Sequence, residues 1–139
     1  MGNLFVKIGA VCCFVLAAGH LACLGFLNEA FVCYGLADTM NNLAAAYGGT
    51  WILYAITVLI ALAFGVCGVY GLAAAGVEKL QWLPFIKLVI YAAAAVFLLR
   101  GCWGIVKLVA DFTLLELIST LVSTGLGLLY LVGGINNAR

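Results

Sequence analysis

Apolar residues in this chain form four long runs that are separated by shorter, more polar segments. The runs cover approximately residues 4–27, 50–76, 82–108 and 112–135. A helix that crosses a bilayer needs about 20 apolar residues, so each run is long enough. A helix also satisfies its backbone hydrogen bonds within its own segment, as lipid requires. The pattern therefore predicts an all-α polytopic membrane protein, an antiparallel bundle of four transmembrane helices.

The first connection, residues 28–49, is longer than the others and has a pattern of its own. Apolar residues recur there every three or four positions, which is the spacing of one helix face. The pair Gly48 and Gly49 follows and would end such a helix. We expect a short amphipathic helix on the membrane surface or over the mouth of the bundle, with an irregular loop as the alternative. Its apolar face would consist of Val32, Leu36, Met40, Leu43 and Tyr47.

Composition strengthens the membrane interpretation. Hydrophobic residues make up 68% of the 139 residues and charged residues 8%. Soluble domains contain about 45–50% apolar and about 25% charged residues, so this chain has too few charges to cover a water-soluble surface. The formal net charge of +1 gives no reason to expect a nucleic-acid partner. We expect residues 1–139 to form a single membrane domain.

Basic residues near the helix ends predict the orientation, because cytoplasmic loops are enriched in lysine and arginine. Lys107 lies on the side of the 28–49 loop. This bias predicts that both termini are cytoplasmic and that the loop is outside. The basic residues on the side of the termini are Lys7, Lys79, Lys87 and Arg139.

Ionisable residues within the predicted spans gather toward the outer end. Each costs about 2.5–3.5 kcal/mol on insertion scales, which makes such residues functional candidates. His20 and Arg100 lie at similar depths, roughly 10–12 Å below the outer surface at the rise of an α-helix. The pattern predicts an outward-facing polar pocket for a lipid headgroup, a small anion or a quinone-like ring. Its candidate binding residues are His20, Arg100, Trp103, Lys107, Asp111 and Glu116.

Structural roles for these residues are the alternative to a binding pocket. Arg100 can pair with Glu116, or with Asp111 as second choice, and so hold the third helix to the fourth. Its long side chain can also extend toward the headgroups. His20 can simply hydrogen-bond a neighbouring group. None of these roles requires a ligand.

The sequence contains no pattern typical of catalysis or metal binding. One histidine cannot form a bis-histidine haem site, and the cysteines form no Cys-x-x-Cys pair. Neither a Ser-His-Asp arrangement nor a glycine-rich phosphate motif is present. We therefore expect no catalytic residue, no metal and no cofactor, and we favour a protein that is not an enzyme.

Small residues recur at four-residue spacing in three of the predicted helices. Such spacing lets helices approach closely in lipid. It predicts internal seams of the bundle, with a homodimer face as the alternative. The expected partners are membrane lipids, a second copy of the chain or a larger membrane complex. The three series are Gly9, Cys13 and Ala17, then Ala63, Cys67 and Gly71, then Ser119, Ser123 and Gly127.

Several short motifs resemble those of a known group of proteins. They are Gly19-His20-Leu21, Tyr34-Gly35, the segment from Gly68 to Gly76, Leu83-Pro84 and Leu98-Leu99-Arg100-Gly101. Together they resemble small bacterial inner-membrane proteins that are broadly similar to DoxX-like four-helix proteins. The resemblance implies a four-helix fold and a bacterial inner membrane. It also implies a link to quinone-coupled sulfur oxidation, for which the sequence carries no recognisable motif.

Three functions are compatible with the sequence. The first is a non-enzymatic accessory subunit or binding protein with an outward-facing polar pocket. The second is a DoxX-like, quinone- or redox-linked membrane component. The third is a dimeric small transporter or channel, which would need polar groups through the inner half of the bundle, where they are scarce.

Overall fold

A computed structural model of the protein describes residues 2–136. That part of the chain is helical and contains no strand. Arg139, which contributed to the predicted orientation, lies outside the described residues. The helices are α1 (Gly2–Ala22), α2 (Leu27–Cys33), α3 (Ala37–Ala46), α4 (Trp51–Ala74), α5 (Ile86–Ala110) and α6 (Leu114–Asn136), with 3₁₀ turns at Cys23–Phe26 and Glu78–Leu80.

The predicted all-α fold with four membrane-spanning helices is confirmed. Four helical segments are long and apolar enough to cross a membrane, by length and composition. The first extends beyond its predicted end at residue 27, because the 3₁₀ turn connects α1 to α2 and helical structure continues to Cys33. Neither a proline nor a glycine pair interrupts the chain there, which explains the longer helix. The four segments are Asn3–Cys33, Trp51–Ala74, Ile86–Ala110 and Leu114–Asn136.

The chain divides into two compact units, which we describe separately. The first unit comprises the described parts of residues 1–13 and 66–139. It therefore contains segments of α1 and α4 together with α5 and α6. The second unit is Phe14–Gly65.

Glycines allow the helices of the first unit to approach closely. A Cβ atom on Gly133 of α6 would overlap the side chain of Val6 in α1, which is fully buried. A Cβ atom on Gly71 of α4 would lie 2.9 Å from the Cβ of Ala10. Close contact at small residues is the packing expected where lipid removes the hydrophobic drive between helices.

A small apolar cluster organises the second unit. Leu27 of α2, Ala44 of α3 and Leu53 of α4 are buried together, and Met40 and Leu43 pack against them. The predicted amphipathic helix is therefore present as α3, and Met40 and Leu43 belong to its apolar face.

Two members of the predicted face, Val32 and Tyr47, are instead exposed. Val32 precedes a turn at Gly35, whose φ is +65°, so a single helical register does not run through residues 32–47. Tyr47 follows the last residue of α3. Gly48, at φ +78°, ends that helix as predicted.

Candidate functional site

An ion pair connects α5 to α6 in the first unit. Arg100 Nη2 lies 3.0 Å from Glu116 Oε1, and the same nitrogen donates a hydrogen bond to Ser119 Oγ at 2.6 Å. Arginine remains charged at any relevant pH, so within a span it must find a partner or extend to the headgroups. The predicted pairing of Arg100 with Glu116 is confirmed.

The start of α6 places Glu116 where it can form this pair. Thr113 precedes the helix, and its Oγ1 accepts a hydrogen bond from the Glu116 backbone N–H at 3.2 Å. This is the local bonding by which threonine caps a helix N-terminus. Glu116 then lies in the first turn, where a negative charge is favoured by the helix dipole. The short connection from α5 brings Arg100 within its reach.

The groups around Gly104 retain unused hydrogen-bonding capacity. A Cβ atom on Gly104 would overlap Thr120 Oγ1 and would lie 2.9 Å from Arg100 Nη1. Within the described chain both of these buried atoms lack a hydrogen-bond partner. Glu116 Oε1 is close enough to Arg100 for an ion pair but makes no aligned hydrogen bond. Buried polar groups are normally satisfied, so this cluster can accept or donate further bonds.

The other predicted residues of α5 lie nearer its end. Trp103 and Lys107 are exposed, and Lys107 is in the last turn, where a positive charge suits the helix dipole. The backbone N–H of Asp111 donates to the backbone oxygen of Lys107 at 2.8 Å. In the part of the chain that the structure describes, the ion pair of Arg100 is formed with Glu116 and not with Asp111.

His20 belongs to the second unit, and its described contacts are local. Its Nδ1 lies 2.8 Å from the backbone oxygen of Leu16, one helical turn earlier. Its ring centroid is 5.2 Å from that of Phe64, with the planes inclined at 39°. These contacts match the alternative in which His20 bonds a neighbouring group. The shared outward-facing pocket of His20 and Arg100 stays a prediction.

The sequence did not predict two other polar features of the first unit. One is Tyr130, which is fully buried and whose hydroxyl donates to the backbone oxygen of Cys67 at 2.8 Å. The other is an open cleft of about 470 Å³ at the end where α1 begins and α6 ends. Its polar residues lie at helix ends, where polar residues are common, and so the sequence did not single them out as it did the ionisable residues within the spans. Those residues are Asn3, Gln81, Lys87 and Asn136.

Neither the arrangement of metal-ligating residues nor the comparison with known proteins assigns a function to this site. Residues 2–136 contain no group of three or more His, Cys, Asp or Glu residues placed to hold a metal ion. Comparisons with protein-family models, curated proteins and solved structures give no match to this chain. The resemblance to DoxX-like proteins therefore stays a prediction.

Proposed function

We propose that this integral membrane protein is a non-enzymatic accessory subunit or small binding protein of a bacterial inner membrane. Its ligand is a lipid headgroup or another small anion that contacts Arg100. The observation that supports this proposal is that Arg100 is fixed at one nitrogen by Glu116 and Ser119, while 39% of its side chain is exposed. A fixed guanidinium loses little conformational freedom when it binds a second partner.

The chemistry of the pair favours a headgroup over a free anion. A guanidinium has five N–H donors; Glu116 and Ser119 engage those on Nη2 and Nη1 is buried, which leaves the donor on Nε for a ligand. Arginine matches the geometry of a phosphate group well. Glu116 cancels the charge of Arg100, however, so the attraction for a dilute anion is weak. A headgroup already present in the bilayer at high local concentration overcomes this weakness.

The exposed residues beyond Arg100 on α5 support a lipid ligand. Trp103 follows Arg100 by three residues and Lys107 follows Trp103 by four, so the three share one side of the helix. Trp103 is 62% exposed. Tryptophan is enriched at the membrane interface, and lysine near a helix end extends toward the headgroups. This side of α5 therefore leads from Arg100 to the level at which headgroups lie.

Native mass spectrometry of the protein purified in a mild detergent tests the proposal. The parent should retain phospholipid, and in the Arg100→Leu/Glu116→Leu variant the affinity for the lipid bound at Arg100 should fall about tenfold, the equivalent of one charge-assisted hydrogen bond. Removing both charges together avoids leaving one unpaired. Leu99→Ala, at an exposed neighbouring position on α5, is the matched control and should retain the lipid.

The same spectra separate the proposed function from its alternatives. A larger protein that remains bound supports the accessory-subunit form of the proposal. A stoichiometric quinone, flavin or haem in the parent would favour the redox-linked function instead. Full retention of lipid by the double variant would show that Arg100 is not the binding residue.

A further inference from the structure

The cleft at the opposite end of α5 is lined by side chains suited to an anionic ligand. Asn3 comes from α1, Gln81 from the connection between α4 and α5, Lys87 from the first turn of α5 and Asn136 from the end of α6. Three residues with carboxamide groups and one lysine thus line this space, and none of its described lining residues is acidic. Its volume of about 470 Å³ is within the usual range for small-ligand sites.

The connection between α4 and α5 is tied back to the helix end that forms one wall of the cleft. Gln81 Nε2 donates a hydrogen bond of 2.6 Å to the backbone oxygen of Ala73 in the last turn of α4. Gly76 has φ of +88°, a conformation that favours glycine. A Cβ atom there would lie 3.8 Å from Asn3 Nδ2 and would narrow the cleft.

Two exposed aromatic residues place this connection at a membrane interface. Trp82 is 79% exposed and Phe85 is 75% exposed. Phe85 also has φ of +56°, which is rare for a bulky residue. Such aromatic residues gather where headgroups meet the hydrocarbon core. Ile86 and Ile90, together with Ala73 and Ala74 of α4, form the apolar part of the cleft, and the two isoleucines continue along α5 toward that core.

We propose that this cleft binds the phosphate-bearing headgroup of an anionic phospholipid. Lys87 provides the positive charge, and the carboxamides of Asn3 and Asn136 donate hydrogen bonds. The first turn of α5 adds a favourable potential, whereas the last turn of α6 opposes it, so selectivity depends mainly on Lys87. This site is separate from the contact proposed for Arg100 and does not depend on it.

Lipid selectivity tests the site directly. The full chain is equilibrated in detergent with equal amounts of phosphatidylglycerol and phosphatidylcholine, and the retained lipids are counted by native mass spectrometry. The parent should prefer phosphatidylglycerol by about fivefold, the effect of one lysine near the membrane surface. Lys87→Gln should abolish that preference, and Lys87→Arg should restore it. Lys79→Gln removes an exposed charge from the same connection without altering the cleft, and should keep the preference.

Three results would overturn the site. Equal losses in Lys87→Gln and Lys79→Gln would mean that general surface charge attracts the lipid. Equal thermal stabilisation by glycerol phosphate and by phosphatidylglycerol would indicate a soluble anion as ligand. A preference for phosphatidylglycerol that survives Lys87→Gln and is lost in Arg100→Leu/Glu116→Leu would place the selectivity at the other end of α5. The proposal for the cleft can therefore fail while the proposal for Arg100 holds, and the reverse.

Discussion

The hydroxyl group of Tyr130 lies 2.8 Å from the backbone oxygen of Cys67 and so connects α6 to α4 in the first unit. The same hydroxyl is 3.4 Å from Cys13 Sγ in α1. The tyrosine has no exposed surface, and its ring centroid is 6.0 Å from that of Phe97 in α5. One side chain therefore contacts all three of the other helices in this unit.

We expect Tyr130→Phe to destabilise the protein while leaving its fold unchanged. Interhelical hydrogen bonds in membranes contribute about 0.6 kcal/mol on average and up to about 1.7 kcal/mol. The loss for Tyr130→Phe should lie near the upper value, because the buried hydroxyl of Tyr130 cannot turn toward water. Unfolding by a denaturing detergent, followed by circular dichroism, measures the change. Tyr54→Phe, at an exposed position, is the control; equal stability of both variants would contradict the role of this bond.

Replacing either of two glycines of α6 with alanine should change the unfolding free energy, in opposite directions for the two positions. A Cβ atom on Gly133 would overlap Val6, so Gly133→Ala should cost about 1–3 kcal/mol through overpacking. No atom lies within 4 Å of the corresponding position at Gly125, so Gly125→Ala should stabilise the helix by about 0.5–1 kcal/mol. The same unfolding assay compares them. A destabilised Gly125→Ala beside an unaffected Gly133→Ala would contradict the packing of α1 on α6.

The four spans could be predicted from the sequence because their signal is local and long. The pairing of Arg100 with Glu116 was also within reach, since a permanent charge inside a span admits few partners. The roles of Gly104 and Gly133 could not be predicted, because many glycines look alike until a facing side chain is known. Tyr130 gave no signal either, since a lone tyrosine in an apolar run does not reveal whether its hydroxyl faces a carbonyl oxygen or a headgroup.

The cleft residues escaped prediction for a different reason. Asn3 and Asn136 are far apart in sequence and lie at opposite ends of the chain. Polar residues at helix ends are common and need no explanation in isolation. Only the antiparallel packing of α1 and α6 brings them to the same cleft as Gln81 and Lys87.

Cysteine labelling should report the predicted orientation of the protein in the membrane. Cys33, at the end of α2, is exposed, so an impermeant maleimide should label it in intact cells when the other cysteines are replaced. Cys102 is also exposed but lies within α5, where lipid excludes the water-soluble reagent, so it should label poorly. The cysteine of a Lys79→Cys variant should react only after lysis. Labelling at position 79 in intact cells would contradict the predicted orientation and indicate the opposite one.

A double-mutant cycle tests most directly whether Glu116 holds Arg100 in the membrane. Arg100→Leu and Glu116→Leu should each lower the unfolding free energy by about 1–3 kcal/mol, since either leaves a charge unpaired. The cost is below that of a fully buried pair because Arg100 is 39% exposed and can extend toward the headgroups. Ser123→Ala, further along α6 at a partly buried position, is the matched control for the assay.

The coupling free energy of this cycle shows whether Arg100 and Glu116 interact or act independently. If the pair exists, the double variant should be more stable than the sum of the single effects predicts, by at least about 0.5 kcal/mol. It should also recover part of the folded yield lost in each single variant. Strictly additive effects, or single variants as stable as the parent, would contradict the pairing and remove the support for Arg100 as a fixed binding group.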